Sequence, residues 1–143
     1  MSEGIFACGA VPVLEKAMAF HEQRNVLLAR NIANASTPGY RCVDLDEGEF
    51  QRLLKEAVRA REGGNLRSFA LGRSDRFAEG ADGFLRSSEV PVREGQVRHD
   101  GNGFSVERQM ARLADNTIAY ERTALLLTDS YKLIEMAIRG RAI

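Results

Sequence analysis

The 143-residue chain has no tryptophan, three prolines, two cysteines, two histidines and no net charge. Each scarcity removes a class of function. Twenty basic residues against twenty acidic ones leave no overall field to draw the chain to nucleic acid or to an anionic membrane. No apolar run reaches the roughly 18 residues that a membrane-spanning helix needs, so no direct membrane insertion is expected. Cys8 and Cys42 lack metal-ligand spacing and can form at most one disulfide. They read as small buried apolar groups or free thiols and say nothing about compartment. His21 and His99 are far apart, and there is no GxSxG, HExxH, phosphate-binding glycine loop or CxxC. No nucleophile, base and metal set converges, so the chain reads as a non-enzyme with no metal site and no cofactor. Glu3 stands where a basic leader would, and Pro12 arrives before an apolar core long enough for a signal peptide, which by itself points to the cytoplasm.

What the chain does have is helical periodicity at both ends. From Val11 to Ala35 the only breaker is Pro12, which a first helical turn tolerates. Leu14, Met18, His21, Asn25, Leu28, Ile32 and Ala35 alternate in steps of four and three, a heptad seam with two polar members. His21 and Asn25 read as satisfied structural residues that set helix register. A second seam runs through Val106, Met110, Leu113, Thr117, Tyr120, Ala124, Leu127, Tyr131, Ile134 and Ile138. Nothing between Phe104 and Arg139 is Gly or Pro, and a helix of that length spans roughly 50 Å. The predicted fold is mainly α, with long N- and C-terminal helices pairing in a coiled-coil-like bundle.

Residues 1–40 hold the first helix and the turn that follows it, and residues 41–62 a connector. Within the connector, Glu47 to Glu62 predicts a short helix with Phe50, Leu53, Leu54, Ala57 and Val58 on one side. Residues 63–103 contain eight of the thirteen glycines and read as a loop-rich insertion. Its short apolar pieces, such as Ser68 to Leu71 and Val90 to Val92, are candidates for pairing as strands. The long helix occupies residues 104–143, and segments 1–40 and 104–143 are expected to form one helical assembly domain. HDGNGF at 99–104 fails as a calcium loop, because Ser105 and Ala111 stand where the glycine and the bidentate Glu belong. Two helices with narrow stripes leave little interior between them, so the terminal helices are expected to fray in the isolated chain and to order on assembly.

The stretch NIANASTPGY at 31–40 runs a helix into a rigid turn. Asn34 can end the helix, Thr37 is pushed out of the α region by the following proline, and Pro38 with Gly39 suits the centre of a type II turn. RNIANASTPGYR resembles the N-terminal signature of the axial proteins of the bacterial flagellum. DGNGFSVERQMARLADNTIAYE and LIEMAIRGR look like the end of the short subunit that builds the proximal rod; Gly103 stands where that family usually carries a larger residue. The likeness covers roughly residues 11–50 and 98–141.

That resemblance implies a structural subunit, exported without a cleavable signal peptide and polymerising into the periplasmic rod. Its partners would be itself, other rod proteins, and the membrane-ring junction and export-gate proteins. Asn31, Asn34, Thr37, Pro38, Gly39 and Tyr40 are then the expected assembly motif, with Asn31 and Asn34 either bonding across subunits or capping their own helix, and the turn setting the angle at which the chain leaves the helix. Another short rod or rod-to-ring subunit would share this signature. A soluble coiled-coil secretion adaptor would need the heptads but not the Pro-Gly turn.

Overall fold

A computed structural model describes residues 9–62, 69–80, 83–92 and 105–140. Three helices dominate: α1 (Val11–Ala33), α2 (Glu47–Glu62) and α3 (Val106–Arg139). Between them lie four short strands, β1 (Val43–Asp44), β2 (Phe77–Glu79), β3 (Leu85–Ser87) and β4 (Val90–Pro91). The mainly helical architecture with paired terminal helices is the one predicted, and α2 has the bounds read from its periodicity.

Local chemistry explains the helix ends. Pro12 sits in the first turn of α1, where a missing N–H costs nothing. Asp46 caps α2 by accepting the Glu49 amide at 3.0 Å, with Glu47 and Glu49 in the first turn and Arg59 and Arg61 in the last, the arrangement the helix dipole favours. Ser105 caps α3 by accepting the Arg108 amide. Gly140 then ends α3 in the left-handed region at φ 62°. Gly103, which stands where the family usually carries a larger residue, and Phe104 lie outside the described residues.

α1 has two working faces. One carries Phe20 and Leu27 into a core completed by Leu45, by Phe50 and Leu53 of α2, and by Leu71, Phe77 and Leu85 from the middle of the chain. Phe20 and Phe50 stack with ring centroids 4.2 Å apart, and Phe77 tilts against both. The predicted thin interior is therefore incomplete as a description: a second layer of α2 and strands covers the back of α1. Lys16 reaches Glu79 and the Gly83 carbonyl, each at 2.6 Å. Gln23 donates to the Leu85 carbonyl and accepts from the Ser87 hydroxyl. These bonds pin a β2–β3 hairpin that the sequence pattern did not reveal, because its strands are only three residues each. Val90–Pro91 pairs with Val43–Asp44. Ser68 lies outside the described residues, and residues 69–71 form no strand.

The other face of α1 meets α3 antiparallel, and here the predicted seam needs correction. The side chains of α3 buried against α1 are Gln109, Asn116 and Thr123, seven residues apart. Leu113 and Tyr120 lie between them and Leu127 and Ile134 beyond Thr123, all half-buried. Met110 is 53% exposed and Ile138 63%, both outside the contact, while Tyr131, 39% exposed, reaches α1 only through its hydroxyl on Glu15; Val106, Thr117 and Ala124 sit at its edge. The helix is rotated by roughly 50°, half the angle between successive residues, from the face that apolar counting selects. The cause lies on α1, where Asn25 and Asn31 face α3: an unpaired buried amide costs about 1–3 kcal/mol, as much as burying one more Met gains. On α1, Leu28 is fully buried and Leu14, Met18 and Ile32 are half-buried.

Phe20→Ala should lower unfolding stability by about 3–5 kcal/mol, whereas Met110→Ala should stay within about 0.5 kcal/mol. Denaturant titration of both checks the placement of the core and the rotation of α3, and a comparable loss for Met110→Ala would refute the rotation.

Candidate assembly site

The turn after α1 has the geometry its residues demand. The Tyr40 amide donates to the Thr37 carbonyl at 3.2 Å, and Gly39, with φ +75°, supplies the positive angle at the third position. A Cβ there would meet nothing within 4 Å, so glycine is required for its backbone angle and not for space. Thr37, Pro38 and Gly39 are exposed. Asn34 ends its own helix: its side-chain amide and its backbone N–H both donate to the Arg30 carbonyl, at 2.9 and 3.1 Å.

Asn31 serves a different purpose from the one expected. It is fully buried, and all its bonding capacity is used inside the chain. Nδ2 donates to the Val43 carbonyl at 2.7 Å and to Gln109 Oε1 at 3.3 Å. Oδ1 accepts the Tyr40 hydroxyl at 3.0 Å and the Val43 amide at 3.3 Å. One side chain thus joins α1, the turn, β1 and α3. It has no capacity left for a neighbouring subunit, and Tyr40 anchors the turn to it from within.

The polar members of the seam are satisfied in the same manner. Asn116 donates to the His21 carbonyl and to Asn25 Oδ1, both at 2.8 Å. Its oxygen is left to accept, which places the imidazole proton on His21 Nδ1, 2.8 Å away. Farther along, Tyr131 donates its hydroxyl to Glu15 at 2.7 Å. That hydrogen bond, with desolvation, raises the phenol pKa above its ordinary value.

Beside this seam, Arg24 grips Asp44 with two bonds of 2.9 and 3.0 Å and also contacts Glu47. Burial opposes the charge of Arg24, but its carboxylate partners outweigh burial and hold its pKa above the usual guanidinium value. His21, Arg24, Glu47, Arg112, Asp115 and Asn116 line a cavity of about 330 Å³ that carries both signs of charge. Among the described residues no cluster of three or more His, Cys, Asp or Glu side chains is placed to hold a metal ion. None of their helices is long and apolar enough to cross a membrane. Cys42 is buried beside β1, and Cys8 lies outside the described residues.

Apolar periodicity missed Gln109, Asn116 and Thr123 because they are polar. Their spacing of seven, one residue before Met110, Thr117 and Ala124 of the predicted seam, was the available signal.

The arrangement is that of a structural subunit: paired terminal helices, a stiff exposed turn, and side chains engaged with one another. No family model matches the chain. Among curated proteins it is similar to the flagellar basal body rod proteins FlgB of three bacteria. With that of Cereibacter sphaeroides it shares 32% identity, covering 87% of this chain and 90% of the relative. With that of Salmonella typhimurium it shares 29%, covering 88% and 90%, and with that of Escherichia coli K12 29%, covering 82% and 84%. The class is therefore that of structural rod proteins of the flagellar basal body. Within it, the chain belongs to the flagellar basal body rod protein FlgB family.

Replacing Asn31 by Ala should cost at least about 1–3 kcal/mol, since Gln109 and the Val43 backbone lose a buried partner. Asn34→Ala, at the half-buried helix end, loses its bond to the Arg30 carbonyl and should cost about 0.5 kcal/mol. Thermal or denaturant unfolding of the two variants makes the comparison; equal losses would remove Asn31 from the centre of the site.

Proposed function

We propose that the chain polymerises into the proximal rod, between the membrane ring with its export gate and the remainder of the rod. Segments 1–40 and 104–143 act together as the assembly unit. The observation that carries this reading is the outward side of α3, where Ile118, Leu125, Leu126 and Leu133 are each at least half exposed. Against α1 the helix turns a layered seam of Gln109, Leu113, Asn116, Tyr120, Thr123 and Leu127, and on its far side it carries a second apolar stripe. A stripe of that kind on a helix of 34 residues is surface for a neighbour.

A rod grows through contacts between non-identical faces that do not close, and an inner seam with an outer stripe supplies two such faces on one helix. The exposed Thr37–Gly39 turn fixes the direction in which β1 leaves α1 and so the orientation of the α2 layer. The partners are other copies of this chain, other rod proteins, and the ring-junction and export-gate proteins. Export proceeds through the flagellar type III apparatus without a cleaved signal peptide.

In flagellated cells, Leu125→Asp should leave folding stability within about 0.5 kcal/mol of the parent because the site is exposed. The variant should be secreted yet absent from purified basal bodies. Thr128→Asp, also exposed and with its hydroxyl turned back to the Ala124 carbonyl, should be incorporated. Equal incorporation of the two would rule out the outward stripe as the subunit contact. Gly39→Ala should fold less stably by about 1–2 kcal/mol, because a Cβ strains the left-handed turn, and motility should fall. Normal swimming of cells carrying it would remove the turn from the assembly mechanism.

A further inference from the structure

The cavity of about 330 Å³ has acceptors to spare. It is lined by His21 and Arg24 of α1, Glu47 of α2, and Arg112, Asp115 and Ala119 of α3, with Asn116 at its back. Arg24 is already engaged, because Nε and Nη2 hold Asp44 and Nη1 holds Glu47. Asp115, by contrast, is exposed, and its carboxylate forms no hydrogen bond or ion pair among the described residues. His21 gives its Nδ1 proton to Asn116 Oδ1, which leaves the lone pair of Nε2 without a donor among the described residues. Around the cavity the guanidinium groups of Arg24 and Arg112 meet three carboxylates, those of Asp44, Glu47 and Asp115.

We propose that this cavity is a socket for an arginine side chain presented by a second copy of the chain. The source of the arginine rests on the assembly reading above, whereas the chemistry of the socket rests on the cavity alone. An anion would face Asp115 and would have to displace the carboxylates that hold Arg24. A metal ion needs ligands that converge on one point, and among the described residues no three His, Cys, Asp or Glu side chains do so. A guanidinium suits acceptors that are spread apart, since its planar fork aims five N–H donors in fixed directions; an ammonium is a compact, strongly hydrated point charge. Asp115 and Glu47 take the charge, Nε2 of His21 accepts a further N–H, and the Ala119 methyl covers the methylene stem. Asp115 lies one helical turn from Ile118, so the socket borders the outward stripe of α3. A second copy can supply the ligand: all basic residues but Lys16, Lys55 and Lys132 are arginines, and Arg41, Arg59, Arg73 and Arg122 are exposed without an ion-pair partner among the described residues.

An NMR titration of the full chain, at a concentration where it is monomeric, tests the socket with N-acetyl-arginine amide as the probe. The His21 ring and Asn116 side-chain signals should move and saturate. The uncharged isostere N-acetyl-citrulline amide should bind at least about fivefold more weakly, and so should the arginine probe to Asp115→Asn. Asp115 is exposed, so the substitution keeps the fold, which an unchanged unfolding transition verifies. Shifts that do not saturate, equal binding of the two probes, or undiminished binding to Asp115→Asn would overturn the socket. In flagellated cells Asp115→Asn should be secreted yet strongly depleted from purified basal bodies. Asp129→Asn, whose carboxylate meets Lys132 on the same helix, should be incorporated like the parent, and equal incorporation of the two variants would overturn a second copy as the source of the arginine. Failure of the stripe shows in Leu125→Asp and leaves probe binding to the monomer intact, so the two failures are told apart.

Discussion

Much of the structure hangs on the buried amide of Asn31. A primary amide has two donors and two acceptor sites, and here each is matched: β1 takes one donor and one acceptor, the turn takes the second acceptor through Tyr40, and α3 takes the second donor through Gln109. No apolar side chain of that size can join four segments directionally. Removing water from this point makes the geometry strict, because any misalignment leaves a polar group unpaired where nothing replaces its partner.

From that constraint the remaining seam follows. With Gln109 held against Asn31, the next positions of α3 to face α1 are those seven residues farther along, and Asn116 arrives opposite His21 and Asn25. Polar layers alternate with apolar ones, so register is specified by hydrogen bonds and cohesion by partial burial. The apolar residues left over on α3 do not go inside. They line the outward face, so the chain closes an aromatic core around Phe20 and still carries an exposed apolar stripe along α3.

The second layer has a separate origin. Phe20 and Leu27 lie on a different side of α1 from the seam, and they bury against α2 and a hairpin too short to show a strand pattern. α1 thus serves as the common wall of two packings with different chemistry, one aromatic and closed, one polar and shallow. Membership of the flagellar rod family accords with a subunit in which a closed core and a long helix with an exposed apolar stripe are joined through one shared element.

Helix existence, helix ends and the turn were legible in the residues themselves. Periodicity, Pro12, Asn34 and the Pro38–Gly39 turn act within a few positions of one another, so local sterics and hydrogen bonding suffice to determine them. The resemblance carried by NIANASTPGY and the C-terminal segment likewise resided in the linear order, as did α2 with its buried Phe50 and Leu53. What only tertiary structure decided was which side of each helix faces which neighbour. The α3 stripe containing Met110 and Tyr131 is as good a helical seam as the one used, and nothing within α3 chooses between them. The choice was made by Asn25 and Asn31, some 80 to 90 residues away in the chain, whose amides needed partners. The intramolecular role of Asn31 was hidden for the same reason, since a side chain that bonds across the fold carries no local mark of its partners.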